Sequence, residues 1–126
     1  MTGSLHVGME TTDDFEVEGR LLTDVGGTLP IEVLSTPGMI AMMERTASML
    51  VPPGLQDGKA TVVFEVNIKH VGAAQKGEHC RVHAKLEEIA DGRKLRLAVE
   101  VTTDDGRTIG VLRHERRVID VAPQER

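Results

Sequence analysis

Ser35-Thr36-Pro37-Gly38-Met39-Ile40-Ala41-Met42-Met43-Glu44-Arg45-Thr46-Ala47-Ser48-Met49-Leu50 carries the strongest helix signal in the chain. Thr36 reads as the N-cap, a role that Ser35 could share, with Pro37 at the first helical position, where its missing N–H costs nothing. Met39, Ile40, Met42, Met43, Ala47, Met49 and Leu50 recur at spacings of three and four. At roughly 100° per residue the polar remainder narrows to a strip holding Glu44, Ser48 and Arg45. A helix apolar around so much of its circumference is expected to be enclosed by other elements. Pro52-Pro53 ends it.

What encloses it lies downstream. Thr61 to His70 alternates, with Val62, Phe64, Val66 and Ile68 on one face and Thr61, Glu65, Asn67 and Lys69 on the other. Cys80, Val82, Ala84 and Leu86 alternate with Arg81, His83, Lys85 and Glu87. Asp91-Gly92 reads as a hairpin turn. Leu95, Leu97, Val99 and Val101 then share a face, and Asp104-Asp105-Gly106 turns the chain into a last strand from about Thr108 to Val121. A short early strand fits around Phe15 to Val17. The expected order is strand, long helix, then four strands in a meander. The class is α+β, with an antiparallel sheet curled around a central helix; a helix lying flat on the sheet fits the same pattern.

The chain has 126 residues, which suits one domain spanning 1–126. Its single cysteine, Cys80, excludes an internal disulfide framework and agrees with a reducing compartment. No apolar run approaches the ~20 residues that span a bilayer, and the opening residues lack the basic and apolar regions of a secretory signal. A cytoplasmic location without membrane partners is the default expectation. A net charge of −5, no Trp or Tyr, and only Phe15 and Phe64 speak against a nucleic-acid surface.

His70 continues the apolar phase of its strand, which places an imidazole near the rim of the core. The alternative is a histidine satisfied by a backbone carbonyl at a strand end. Glu44 sits at the border of the apolar helix face; the plainer reading is a solvated flank residue, or an ion pair with Arg45 or another element. The hydroxyl of Thr36 has a competing job as cap. His79 and His83 are on the polar face of their strand, without metal-site spacing, so neither metal nor cofactor is expected. Cys80 reads as a small buried hydrophobe. No nucleophile elbow, phosphate loop or dinucleotide fingerprint is present.

Three stretches together resemble the fluoroacetyl-CoA thioesterase-like branch of the hotdog-fold thioesterases: Ser35 to Glu44, Val66-Asn67-Ile68-Lys69-His70-Val71-Gly72-Ala73-Ala74 followed by Lys76-Gly77, and His114-Glu115-Arg116-Arg117-Val118-Ile119. They occur in the family's order and cover roughly residues 33 to 120. The resemblance implies a hotdog fold, hydrolysis of short acyl-CoA thioesters, and a homodimer, or dimers paired into a tetramer, with sites at the subunit interface. It also implies a catalytic hydroxyl, carboxylate and imidazole, which map onto Thr36, Glu44 and His70. Arg116 matches a family arginine near the CoA or the interface. The helix start at Pro37-Gly38-Met39 could aim backbone N–H groups at the developing oxyanion, with Gly38 allowing close approach of substrate.

Two departures bear on specificity. Residues 21–34 contain no aromatic where the fluoroacetyl-specialised enzyme has a gate, and Ala60-Thr61-Val62-Val63 stands where the family tends to have a glycine. A non-catalytic acyl-CoA or acyl-carrier binder is one alternative. A hotdog hydratase or dehydratase is another, although its usual D-x-x-x-x-H spacing is missing.

Overall fold

The computed structural model describes residues 5–51 and 57–121. Among these described residues seven strands and one long helix follow in order: β1 (Glu10–Glu16), β2 (Leu22–Thr23), β3 (Val33–Leu34), α1 (Thr36–Leu50), β4 (Lys59–His70), β5 (His79–Ala90), β6 (Lys94–Thr103) and β7 (Thr108–Asp120). A single 3-10 turn, Gly19–Leu21, precedes β2. Pro52-Pro53, read as the helix stop, lies outside the described residues.

The meander is shorter than expected. β5, β6 and β7 are joined by turns, but β4 pairs with β7, so the main sheet runs β1-β5-β6-β7-β4 and all its pairs are antiparallel. The β5–β6 hairpin closes on Asp91 and Gly92, both at positive φ, with Arg93 N–H donating to Ala90 O at 3.1 Å. That is the primed turn whose twist matches the strands it joins. β2 and β3 form a small separate ribbon.

The inner faces of β5 and β6 are as read: Cys80, Val82, Ala84, Leu86, Leu95, Leu97, Val99 and Val101 are all buried. Onto them α1 lays Met39, Met42, Met43, Thr46, Ala47 and Leu50. Thr46 is tolerated there because its hydroxyl donates to Met42 O. All five strands of the sheet reach the helix, as expected, but they do not cover every residue of its apolar face. Met49, expected in the apolar face, is 51% exposed, and Ile40 is only partly buried.

β4 departs from its simple alternation. Val63 pairs with Arg116 and Glu65 with Glu115, leaving Phe64 as the extra residue of a β-bulge. One inserted residue reverses the parity of everything before it. Val66, Ile68 and His70 keep the inner face, whereas Val62 and Phe64 turn outward at 46% and 58% exposure. Thr61, expected outside, turns inward toward Arg116. Phe64 instead stacks beneath the Arg117 guanidinium, 3.7 Å from the ring centre.

Candidate active site

The start of α1 is capped by Ser35, not by Thr36. Ser35 is extended, and its Oγ accepts from Gly38 N–H at 2.9 Å. Thr36 therefore takes the first helical position and Pro37 the second. Ser35 is itself anchored by its N–H donating to Leu21 O at 2.7 Å, while Leu34 N–H donates to Ala74 O at 2.8 Å. The second bond ties the residue before the cap to the loop that leaves β4. The helix start is thus fixed beside the end of β4, and Thr36 Oγ1 lies 2.7 Å from His70 Nδ1 across a separation of 34 residues. The partner of His70 is this hydroxyl, not a backbone carbonyl.

Gly38 and Met39 serve the turn itself. A Cβ on Gly38 would stand 2.8 Å from Ser35 Oγ and 3.0 Å from Leu21 Cα, so glycine is needed for close packing of the chain on itself. Met39 N–H donates to Ser35 O at 2.9 Å, and its fully buried side chain fills the space over Gly110. With Pro37 lacking an N–H and the Gly38 and Met39 amides engaged, Thr36 supplies the first amide of the turn with no acceptor among the described residues.

Glu44 is half-buried two turns further along the helix, a rise of about 12 Å from Thr36 at 1.5 Å per residue. It does not pair with Arg45, which reaches Asp13 instead at 3.5 Å. The charge that Glu44 meets is Arg116. Burial lowers the Arg116 pKa from its ordinary value, and the Glu44 carboxylate works against that shift. Arg116 Nε donates to Thr61 Oγ1 at 2.7 Å, Nη2 to Thr61 O at 3.2 Å, and Nη1 to His114 Nε2 at 3.1 Å. The chain thus holds Thr36 in contact with His70, and, further along the helix, Glu44 within the electrostatic reach of Arg116.

Sequence reasoning passed over Thr61 and His114. The signal for His114 was present in the β7 row Leu112, His114, Arg116, Val118, where two polar residues keep the phase of two apolar ones. Thr61 was hidden by the bulge. Cys80 is fully inside, and burial, with the Glu78 and Asp104 carboxylates adding to it, pushes its thiol up to about 11, which makes it a poor nucleophile. His83 and His79 sit near Glu10 and Glu16, at 2.6 and 3.7 Å, on the outer face. No three His, Cys, Asp or Glu side chains gather as a metal group among the described residues. A groove of about 760 Å³, whose walls include Asn67, Lys69, Lys85 and Arg113, crosses the outer face of the sheet, away from Thr36 and His70. No helix among the described residues is long and apolar enough to cross a membrane.

The model of the fluoroacetyl-CoA-specific thioesterase family matches residues 17–122. The chain belongs to that family. As a family member it is a thioester hydrolase of the hotdog fold, and its shape agrees. The solved fluoroacetyl-CoA thioesterase FlK is 27% identical, with a TM-score of 0.79, over 94% of this chain and 90% of that one. A Thermus thermophilus protein described as a thioesterase superfamily member is 25% identical, with a TM-score of 0.80, over 91% and 84% of the two chains. A hot-dog-like protein from Thermanaerovibrio acidaminovorans shares the fold at a TM-score of 0.81 and 17% identity, over 90% and 83%. No curated protein matches the sequence.

Proposed function

We propose that the chain is a homodimeric acyl-CoA thioesterase for short acyl groups, each site combining Thr36 and His70 of one protomer with Glu44 of the partner subunit. The observation that carries this is the 2.7 Å approach of Thr36 Oγ1 to His70 Nδ1, with Glu44 about 12 Å further along the same helix. A carboxylate so far off serves that pair only from a second copy. The edge for such a copy is β4, the last strand of the sheet, whose middle presents Val62, Val63 and Phe64 at 41–58% exposure. An unpaired edge of this kind templates pairing with another strand. Antiparallel self-pairing about Phe64 and Glu65 would lay Thr61 of the partner subunit beside Ile68. That brings the Arg116 of the partner subunit, bonded to its own Thr61, toward His70.

In this reading Thr36 Oγ–H donates to His70 Nδ1, and His70 takes the proton as the hydroxyl oxygen attacks the thioester carbonyl. The unengaged Thr36 N–H, at the positive end of the helix dipole, meets the developing oxyanion. The carbon–sulfur bond breaks, the thiolate leaves with the proton held by His70, and an acyl ester remains on Thr36. Water, deprotonated by Glu44, attacks that ester; His70 returns its proton to the departing Thr36 oxygen, the carboxylic acid is released, and Glu44 gives its proton to solvent or the free thiolate. CoA enters as substrate, by analogy with FlK, point variants of which have been crystallised with acetyl-CoA and with fluoroacetate and CoA. The absence of an aromatic from residues 21–34 favours ordinary short acyl groups over fluoroacetate.

Release of free thiol from a panel of acyl-CoAs tests the activity. Subunit complementation tests the shared site. His70→Ala and Glu44→Ala dimers should each be nearly inactive, while co-refolded mixtures should regain roughly a quarter of wild-type turnover, since half the dimers are mixed and each has one intact site. If the mixture stays inactive, the site is not shared.

A further inference from the structure

Arg116 is an unusual cation. It is 7% exposed, and among the described residues no carboxylate forms an ion pair with it. A buried charge is expensive unless something compensates it. What the fold provides is a neutral cradle: the Thr61 hydroxyl on Nε, the Thr61 carbonyl on Nη2 and His114 Nε2 on Nη1. Of the five N–H donors of a guanidinium, one on each terminal nitrogen is left over.

A guanidinium can only donate, so His114 Nε2 must accept, and the ring must be neutral with its proton on Nδ1. The surroundings enforce this. His114 is fully buried, its strand neighbours across β6 and β4 are Leu97 and Val66, and the charged group acting on it is Arg116 on its own strand, which in turn feels Glu44 on the helix. Burial first, and then Arg116, pushes the imidazole down to about 4. The Nδ1 atom is buried without a hydrogen-bond partner. A histidine placed for stability alone would not leave an orphan donor in the core, because that costs about as much as a lost hydrogen bond.

We propose that His114 is a positioning residue: with Thr61, its neutral Nε2 fixes the Arg116 guanidinium uncompensated, so that the free N–H groups and charge act on Glu44 and the bound acyl-CoA. This rests on the thioesterase reading above. A carboxylate in place of His114 would neutralise Arg116, and a leucine would let it swing; neutral acceptors hold it without quenching it.

The tests are of two kinds. Nitrogen-15 NMR of the wild-type imidazoles should show His114 protonated on Nδ1 and bare on Nε2 from pH 7 to 5; a proton on Nε2 overturns the proposal. Turnover of acyl-CoA should fall roughly tenfold in His114→Leu, the scale of one hydrogen bond to a charged group. His114→Gln, whose side-chain oxygen reaches the Nε2 position, should recover most of it. In an Arg116→Met background, His114→Leu should cause no further loss, because the two act as one unit. Wild-type turnover in His114→Leu, or an equal loss in both backgrounds, overturns the role. Should His114→Leu fail to fold, His114→Gln decides instead: near-wild-type turnover supports the role and a leucine-like loss removes it. A wild-type chain that hydrolyses no thioester fails the functional reading instead, while the tautomer result still reports on the cradle.

Discussion

At the scale of single residues, adjacent Ser35 and Thr36 divide two jobs that one hydroxyl could have held. Ser35 caps the helix through Gly38 N–H, which leaves the Thr36 hydroxyl for His70. Ser35→Ala should therefore cost about 1 kcal/mol of stability and lower the melting temperature by several degrees while leaving most turnover. Thr36→Ala should do the reverse. Its exposed side chain supports little packing, so the melt should move by less than about 0.5 kcal/mol. Turnover should drop by roughly 10²-fold, the scale of losing a partner in general-base chemistry. Thr36→Ser should keep both properties. Thermal melts and thiol-release assays on the three variants check the division. A Thr36→Ala enzyme with wild-type turnover would take the hydroxyl out of the reaction.

At the scale of elements, the helix start and the β4 bulge position the residues of the proposed site. The turn from β3 into α1 fits only because Gly38 lacks a side chain. Gly38→Ala drives a methyl against Ser35 Oγ and the Leu21 backbone, so it should destabilise by about 1–3 kcal/mol, the scale of overpacking. It should also reduce turnover, because the cap must shift and Thr36 moves with it. Equilibrium denaturation read beside activity tests both. The bulge at Phe64 has the larger reach. It turns Thr61 inward to hold Arg116 and turns Val62 and Phe64 outward. Phe64→Glu should leave the protomer folded but place like charges face to face across a β4–β4 pair. Light scattering is expected to show monomer, with turnover lost together with the dimer.

Across the whole molecule, His114 links folding to pH. Its pKa is about 4 when folded and near the ordinary histidine value of 6.5 when unfolded. Above pH 6.5 neither state binds the proton, so the stability is fully present. As pH falls from 6.5 toward 4 the unfolded chain takes up the proton first, and stability drains away. At about 1.36 kcal/mol per pKa unit, the loss by pH 4 is on the order of 3 kcal/mol. Denaturant midpoints measured from pH 7.5 to 4.5 should fall steeply in the wild type and more gently in His114→Leu, which has no such group. Parallel curves would place the acid sensitivity elsewhere.

Much of this was written in local sequence. The apolar period of residues 39–50, the alternation of β5 and β6 and the Asp91-Gly92 turn are set by neighbours within a few positions, and the structure follows them except at Ile40 and Met49. Of the residues that the family resemblance pointed to, Thr36 and His70 touch, while Glu44 and Arg116 feel each other's charge without forming an ion pair. What the sequence could not settle were matters of parity and partnership. A bulge is one residue that fails to pair, and which residue fails depends on β7, a strand some 50 positions away that must match on its own inner face. Two hydroxyls in a row compete for one cap, and the winner depends on how Leu21 and Ala74 hold the turn. Arg116 meets Thr61 across 55 residues, and Thr36 meets His70 across 34. Period and turn chemistry are short-range and can be read along the chain; side-chain partnerships in a sheet are fixed by register, which exists only once the strands are assembled.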